Sequence, residues 1–173
     1  MKLCIFEDEK VNNFLPLTWT RPVYFLFCGM TTLSKRISSV YPDLELVYHC
    51  RDFLVDTVAE TTGAPVNVFD NDRYLFINGR AVFGKKIASK ININEENKLY
   101  CADGVPIAVV ISGKNIQTLN ENSGKLWNFR QMFPELPVET IETESFEYPW
   151  EIINKNDELI VEDFNNQIFK QYY

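Results

Sequence analysis

The sequence predicts a single α/β domain with a mostly parallel sheet, and three observations lead to that prediction. Short apolar runs alternate with helix-like segments through the first half of the chain, as in strand–helix–strand crossovers. An Asp-Gly pair between two apolar runs in the second half indicates a hairpin. With 173 residues, 46% of them hydrophobic, the chain suits one domain with a proper core better than two small ones.

The first half is predicted to follow the order strand, loop, helix, strand, helix, strand, strand. Its predicted strands are 2–7, 45–50, 66–69 and 74–77, and its predicted helices are 31–41 and 51–62. Residues 8–30 are rich in Asn, Pro and Gly and indicate a long loop with a short extended piece at 23–28. Thr31 or Thr32 is the expected N-cap of the first helix, and Gly63 is expected to end the second.

The second half changes character. Two strands, 98–101 and 106–111, are predicted on either side of Ala102-Asp103-Gly104. Further predicted elements are a helical stretch over 113–133, a strand at 138–141 and a partly helical segment over 150–169, with Asn156 or Asp157 as its cap. No internal repeat is evident.

Charge and cysteine content exclude several classes of function. The net charge of -7, without a run of like charges, makes nucleic acid and acidic membranes poor partners, although a small anion can still bind beside local cations. Four scattered cysteines and one histidine offer almost no zinc ligands. His49 lies in an alternating predicted strand and is expected to be structural, with a general-base role as the alternative. Neither a signal peptide nor a membrane span is evident, and the expected location is cytoplasmic.

Three ordered motifs carry a family resemblance. Residues 15–23 (LPLTWTRPV) follow the first predicted strand, where ligands bind in open parallel sheets, and Gly29 comes soon after. Residues 74–80 (YLFINGR) form the second motif, and residues 148–164, with PWE, Asn156 and EDF, form the third. Together they resemble the sugar nucleotidyltransferases related to bifunctional UDP-N-acetylglucosamine pyrophosphorylase, with the pattern LPLTxTRPV … ING … PWD…N…DF.

The resemblance implies a three-layer, Rossmann-like nucleotide-diphospho-sugar transferase domain over residues 1–173. The left-handed β-helix acyltransferase domain that family members commonly carry would be absent, because no hexapeptide repeats are present. The implied reaction transfers a nucleotidyl group from an NTP to a sugar 1-phosphate and releases pyrophosphate. Mg²⁺ is the implied cofactor.

Arg21 is the expected main cation of the site, because a planar guanidinium holds two phosphate oxygens at once. The alternative is a structural arginine that binds carbonyl groups of its own loop. Thr18 and Thr20 either donate hydroxyls to a phosphate or cap a turn, and Trp19 either covers a base or fills the loop.

The segment Asn78-Gly79-Arg80 follows the strand that, in the family, ends over the nucleotide-sugar site. The resemblance implies that Asn78 and Gly79 contact the nucleoside or the sugar. Family members usually carry an aspartate there that binds Mg²⁺, and Gly79 or Arg80 takes its place in this chain. Arg80 cannot ligate a metal but can neutralise phosphate charge as a catalytic cation; the alternative is a tight turn with an exposed Arg80.

Three carboxylates are the expected Mg²⁺ ligands: Asp8 after the first strand, and Glu151 and Asp163 in the third motif. Each has an alternative as a solvated or helix-surface acid. Four further cations are expected to be solvated on a helix face and a turn, with added positive potential near a phosphate site as the alternative: Lys35, Arg36, Lys85 and Lys86.

Two departures from the family leave a second hypothesis open. Glu7-Asp8-Glu9 stands where active members have a glycine-rich loop that holds the triphosphate, and the metal-binding aspartate after Asn78 is missing. The second hypothesis is therefore a nucleotide-sugar-binding or assembly domain without catalysis. Its partner would be a left-handed β-helix acyltransferase or further copies of the same chain.

Overall fold

The computed structural model describes residues 1–166, which form a six-stranded sheet with helices on both faces. The strands are β1 (Lys2–Phe6), β2 (Phe27–Cys28), β3 (Thr31–Thr32), β4 (Glu45–Tyr48), β5 (Tyr74–Asn78), β6 (Lys98–Ala102), β7 (Val105–Ile111) and β8 (Val138–Thr140). The helices are α1 (Leu33–Ser38), α2 (Val55–Thr62), α3 (Lys85–Ala88), α4 (Asn115–Glu121), α5 (Phe129–Met132) and α6 (Pro149–Asn166). Short 3-10 helices cover Glu9–Phe14, Val23–Phe25 and Asp52–Leu54.

The sheet has the strand order β4-β1-β5-β7-β6-β8, and β2 and β3 pair separately as a small antiparallel ribbon. Strand β1 lies between β4 and β5 and is parallel to both. Strand β7 is antiparallel to β5 and β6, and β8 is parallel to β6. All strands of the sheet except β7 therefore point the same way, which confirms the predicted, mostly parallel sheet.

Alternate residues of the central strand enter two different cores, which gives the domain its three layers. Leu3 and Ile5 face a core completed by α1, α2 and α6, whereas Cys4 and Phe6 face a core completed by α4 and α5. Because β1 is covered on both faces, its residues 3–6 are continuously apolar and do not alternate with polar residues.

Local sequence signals place several boundaries correctly. Thr32 caps α1, since its hydroxyl accepts a hydrogen bond from the Lys35 amide at 3.3 Å. Gly63 ends α2 with φ = 66° in the left-handed region. The β6–β7 hairpin turns through Asp103 and Gly104, both with positive φ, as a two-residue turn of the I′ kind requires.

The strand predicted at residues 66–69 is wrong. Only Val66 makes an isolated bridge, to Tyr48, and Asn67 then adopts φ = 57°, which ends the extended run. The Asn67 side chain bonds both the amide and the carbonyl of Cys50, so it pins the end of β4 without continuing the sheet.

Other boundaries also differ from the predictions: α1 ends at Ser38 and not at residue 41, and α2 begins at Val55 and not at residue 51. The extended piece at 23–28 is a 3-10 turn followed by the two residues of β2, and the helical stretch over 113–133 is divided into α4 and α5. Helix α6 starts at Pro149, so the expected cap at Asn156 or Asp157 is wrong because both lie inside the helix. Residues 167–169 of that prediction lie outside the described residues. Nowhere in residues 1–166 does a helix combine the length and apolarity that a bilayer crossing requires.

Candidate active site at the carboxyl ends of the strands

Polar side chains at or just beyond the ends of β1, β4 and β5 form a buried network, called here the strand-end network: Glu7, Asp8, Arg51, Asn78 and Arg80. These side chains meet because the carboxyl ends of neighbouring parallel strands share one edge of the sheet. Arg80 binds Asp8 in a bidentate manner, with Nε to Oδ1 at 2.7 Å and Nη2 to Oδ2 at 2.5 Å. Arg80 is fully buried, so the alternative of an exposed turn arginine is wrong.

Asn78 completes this arrangement. Its Nδ2 donates to Asp8 Oδ2 at 2.7 Å and to the Pro106 carbonyl at 2.9 Å, and its Oδ1 accepts from the Arg80 amide at 3.0 Å. The Lys10 amide donates to Asp8 Oδ1 at 3.2 Å. Each oxygen of the Asp8 carboxylate thus accepts two hydrogen bonds, which fills its acceptor capacity.

Gly79, between Asn78 and Arg80 in the chain, has a packing role. Its amide donates to the Phe6 carbonyl at 2.9 Å, and a Cβ placed on it would lie 2.8 Å from a ring carbon of Tyr24. Only glycine allows this close approach of β5 to the Tyr24 ring.

A second buried pair, Glu7–Arg51, fixes the loop that carries the first motif. Arg51 Nε lies 3.1 Å from Glu7 Oε2, and Arg51 Nη2 donates to the Thr18 carbonyl at 2.6 Å. The Val23 amide donates to Glu7 Oε1 at 3.0 Å, so the pair holds the motif loop at Thr18 in its middle and at Val23 at its end. Burial raises the pKa of the Glu7 carboxyl, and the neighbouring Arg51 opposes part of that rise. Sequence reasoning missed Arg51, although its place directly after a predicted strand was a signal.

His49 is a structural histidine, as expected. Its Nδ1 accepts from the Glu7 amide at 3.3 Å, its Nε2 donates to the Lys125 carbonyl at 2.8 Å, and its ring stacks on Trp127. Burial lowers the pKa of His49 to about 3, so the ring stays neutral at ordinary pH.

The motif loop itself divides into a buried and an exposed part. Thr18 is buried, and its hydroxyl donates to the Val11 carbonyl at 3.3 Å, which is the turn-stabilising alternative for this residue. Trp19, Thr20 and Arg21 are exposed. The Arg21 guanidinium makes no hydrogen bond or ion pair with any residue between 1 and 166, so it does not serve to pin its own loop.

A cleft of about 280 Å³ opens over the strand-end network. Asp8 and Arg80 form its floor, and the exposed side chains of Lys10 and Arg130 lie at its sides. Lys10 pairs with Glu147 at 3.6 Å, but both side chains are about half exposed, so this pair is weak. The two cations make the cleft suited to an anionic ligand.

A second cleft, of about 540 Å³, opens along the same edge of the sheet, beyond β5, β6 and β8. Asp103 lines this second cleft and Gly104 lines the first, so the two lie on either side of the β6–β7 turn. The edge therefore has room for two ligands.

Residues of the third motif hold α6 in place. Asp163 is fully buried, and its Oδ2 accepts from Arg36 Nη2 at 2.6 Å and from the Met30 amide at 2.8 Å. Two turns earlier in the helix, Asn156 Oδ1 accepts from the Gly29 amide at 2.8 Å. Gly29 adopts φ = 77°, and a Cβ on it would lie 2.4 Å from Asp163 Oδ2. These contacts join Gly29, which follows the first motif, to Asn156 and Asp163 of the third motif.

Arg36 was expected to be solvated, and that expectation is wrong because its side chain is only 2% exposed. Its position three residues after Leu33, on the apolar stripe of α1, is the signal that could have revealed its burial. Glu151 caps the start of α6: its Oε2 accepts from the amides of Glu147 and Tyr148 at 2.5 and 3.1 Å.

The donor set at the strand ends does not fit Mg²⁺. Asp8 has no free acceptor position and touches a guanidinium, and neither Glu151 nor Asp163 lines the strand-end cleft. Over residues 1–166, no three His, Cys, Asp or Glu side chains converge as a metal site would require. The structure therefore brings Asp8, Asn78 and Arg80 together as an ion-pair network and leaves Glu151 and Asp163 in structural roles at α6.

Three solved nucleotidyltransferase structures share this fold. The inositol-1-phosphate CTP transferase from T. maritima matches with a TM-score of 0.55 and 11% identity, over 91% of this chain and 96% of that one. A putative glucose-1-phosphate thymidylyltransferase from Bacillus anthracis, in complex with a sucrose, gives 0.54 and 11%, over 92% and 95%. The CTP:phosphocholine cytidylyltransferase from Streptococcus pneumoniae gives 0.51 and 10%, over 91% and 98%. At these identities the likeness shows the fold alone.

Sequence families give a more specific result. None of the curated proteins compared with the chain is a significant match. The family model described as sugar nucleotidyl transferase matches residues 3–168, which is nearly the whole chain. The chain therefore belongs to the sugar nucleotidyl transferase family.

Proposed function

We propose that this chain transfers a nucleotidyl group from a nucleoside triphosphate to a sugar 1-phosphate and releases pyrophosphate. One observation carries the proposal: in a member of the sugar nucleotidyl transferase family, the strand-end cleft opens where open α/β sheets bind their ligands. The resemblance to UDP-N-acetylglucosamine pyrophosphorylase makes uridine nucleotides and N-acetylglucosamine 1-phosphate the first substrates to test.

The reaction needs little covalent chemistry from the protein. An oxygen of the sugar phosphate attacks the α-phosphorus of the triphosphate, and the bond from that phosphorus to the pyrophosphate oxygen breaks. The protein contributes an in-line arrangement of the two phosphates and positive charge around them. Lys10 and Arg130 can supply positive charge within the cleft. Arg21, on the motif loop, is exposed and has no hydrogen bond or ion pair among residues 1–166.

The neighbouring second cleft supports a reaction between two substrates. It is lined by residues that follow β5, β6 and β8, and it holds Lys86 and Lys155 among several carboxylates. We propose that it receives the sugar of the acceptor while the strand-end cleft holds the nucleotide. The β6–β7 turn would then lie between the two substrates.

A second candidate function is favoured by the Asp8–Arg80 pair. The chain has Gly79 or Arg80 where the family resemblance leads one to expect a metal-binding aspartate, and Arg80 pairs with Asp8 on the floor of the cleft. We propose as the alternative a domain that binds a nucleotide sugar without turning it over. Its partners would be a β-helix acyltransferase or other copies of the chain.

Calorimetry followed by a pyrophosphate-release assay separates the two candidates. The four common NTPs and UDP-sugars would be titrated into wild type, Arg21→Ala and Lys114→Ala. Lys114 is the matched control, because it is an exposed cation at the start of α4, outside the strand-end cleft. If Arg21 contacts phosphate, its loss weakens nucleotide binding about tenfold or more, and Lys114→Ala does not.

The outcomes lead to different conclusions. Pyrophosphate release that requires both an NTP and a sugar 1-phosphate supports the transferase. Nucleotide-sugar binding without release, over a broad panel of sugar phosphates, supports the binding domain. The absence of binding with every nucleotide would rule out both.

A further inference from the structure

A side-chain cation occupies the place where the family resemblance implies a metal ion. Asp8 Oδ1 accepts hydrogen bonds from Arg80 Nε and the Lys10 amide, and Asp8 Oδ2 accepts from Arg80 Nη2 and Asn78 Nδ2. A carboxylate offers about four acceptor positions, so all of them are used. Mg²⁺ needs oxygen ligands in a nearly octahedral arrangement. To bind Asp8, it would have to break a charge-assisted hydrogen bond and lie beside a buried guanidinium.

The Asp8–Arg80 pair is held from several sides, so the carboxylate is not readily released. Arg80 Nη1 donates to the Phe146 carbonyl, and Asn78 reaches both Asp8 and the Pro106 carbonyl. These contacts join the ends of β1 and β5 to the start of β7 and to the segment before α6. Breaking the bidentate pair would leave a buried charge without a partner.

Two cations remain free to meet a ligand in the same cleft. The charge of Arg80 is balanced by Asp8, but Lys10 and Arg130 are exposed at the sides of the cleft. Lys10 gives up only a weak exposed pair with Glu147, and Arg130 makes no hydrogen bond or ion pair over residues 1–166. Glu9, the other acid that lines this cleft, accepts a hydrogen bond from Asn128 at 3.3 Å.

We infer that the strand-end cleft binds the phosphates of a nucleotide directly through Lys10 and Arg130, without a divalent cation on Asp8, whose acceptor positions are already used. Nucleotide binding at this site is therefore independent of Mg²⁺. The inference rests on the proposed function, because it describes how the same cleft holds its nucleotide.

The test compares nucleotide binding by wild type in EDTA and in Mg²⁺, by calorimetry with the four common ribonucleoside triphosphates. For the triphosphate that binds, we expect the Kd to agree within about threefold between the two buffers. In EDTA, Lys10→Ala and Arg130→Ala each weaken binding about tenfold, whereas the matched control Lys114→Ala keeps the wild-type Kd.

A second variant tests the pair itself. Arg80→Asp replaces the guanidinium by a carboxylate beside Asp8, which gives a divalent cation two acidic ligands. We expect Mg²⁺ alone to raise the melting temperature of this variant and to leave that of wild type unchanged. If Arg80→Asp does not fold, the wild-type titrations in EDTA and in Mg²⁺ still test the inference.

The results separate this inference from the proposed function. Nucleotide binding that appears only with Mg²⁺ overturns the inference and leaves the proposed function standing. The same holds if Mg²⁺ alone stabilises wild type and Asp8→Asn abolishes the effect. No nucleotide binding in either buffer overturns both.

Discussion

Two of the buried arginine–carboxylate pairs, Asp8–Arg80 at the strand ends and Arg36–Asp163 at α6, differ in how completely their polar atoms are hydrogen-bonded. At the strand ends, Asp8 and Arg80 meet through two hydrogen bonds, and both Asp8 oxygens have further donors. Under α6, Arg36 and Asp163 meet through one hydrogen bond, and the buried atoms Arg36 Nε and Asp163 Oδ1 have no hydrogen-bond partner among residues 1–166.

The difference separates a pair on the floor of the proposed ligand cleft from a pair that fixes a helix. Around the cleft, complete bonding holds the carboxylate and guanidinium in one arrangement, which a binding surface needs. At α6, the unpaired atoms cost stability, and the pair persists because removing either charge alone would cost more. The two pairs should therefore respond differently to substitution.

The largest expected effect is on the pair under α6. Asp163→Ala leaves Arg36 buried without its counter-charge, so we expect the free energy of unfolding to fall by about 3–5 kcal/mol. Urea denaturation measures the loss. Nucleotide binding by the variant that remains folded should be unchanged, because Asp163 does not line the strand-end cleft.

Two variants serve as controls for this prediction. Glu162→Ala removes an exposed acid 4.0 Å from Arg36 and should change stability by no more than about 0.5 kcal/mol. Replacing both partners, as Arg36→Met with Asp163→Leu, should recover most of the lost stability. A single Asp163→Ala variant as stable as wild type would show that the pair does not fix α6.

An intermediate effect is expected in the strand-end region, from His49. The pKa of His49 is about 3 in the folded state and 6.5 without burial. Between these two pH values, the unfolded chain therefore binds a proton on His49 and the folded chain does not. Stability from this residue is complete above 6.5 and falls as the pH is lowered towards 3. At about pH 5 the loss amounts to about 2 kcal/mol.

The measurement compares urea denaturation at about pH 7 and about pH 5, in wild type and His49→Gln, since other acids such as Glu7 titrate as well. The difference between the two proteins isolates the histidine. An equal loss of stability in both would mean that His49 is protonated in the folded protein.

The smallest effect concerns the start of α6. Glu151→Ala removes the acceptor for two backbone amides, so we expect a loss of about 1 kcal/mol in the free energy of unfolding. Asn154→Ala, at an exposed position of the same helix, is the matched control. If Mg²⁺ stabilised wild type but not Glu151→Ala, the carboxylate would be a metal ligand and not a cap.

Local signals account for the parts of the fold that could be predicted from the sequence. Apolar runs marked β1, β4 and β5, Gly63 marked the end of α2, and Asp103-Gly104 marked the hairpin. Each of these depends on a few adjacent residues. The strand expected at 66–69 failed because Asn67 takes a left-handed conformation and bonds to Cys50, which its apolar neighbours do not indicate.

The site was only partly predictable, because its contacts join residues that are far apart in the chain. Asp8, Asn78 and Arg80 were all expected near a ligand, but their mutual bonding depends on the alignment of β1 with β5 across about 70 residues. Asp163 was expected as a metal ligand, yet its partner Arg36 lies 127 residues away and was assigned to solvent. The residue type and its position in a motif do not distinguish a metal ligand from the partner of a buried arginine.

The contact between Gly29 and α6 has a consequence for the order in which the protein folds. Because α6 holds the β2–β3 ribbon through Asn156 and Asp163, more than 120 positions later, the ribbon makes these contacts only after the residues up to 163 have left the ribosome. Such distant pairings also slow folding in general. Arg36 likewise gains its carboxylate partner Asp163 only after α6 has been synthesised.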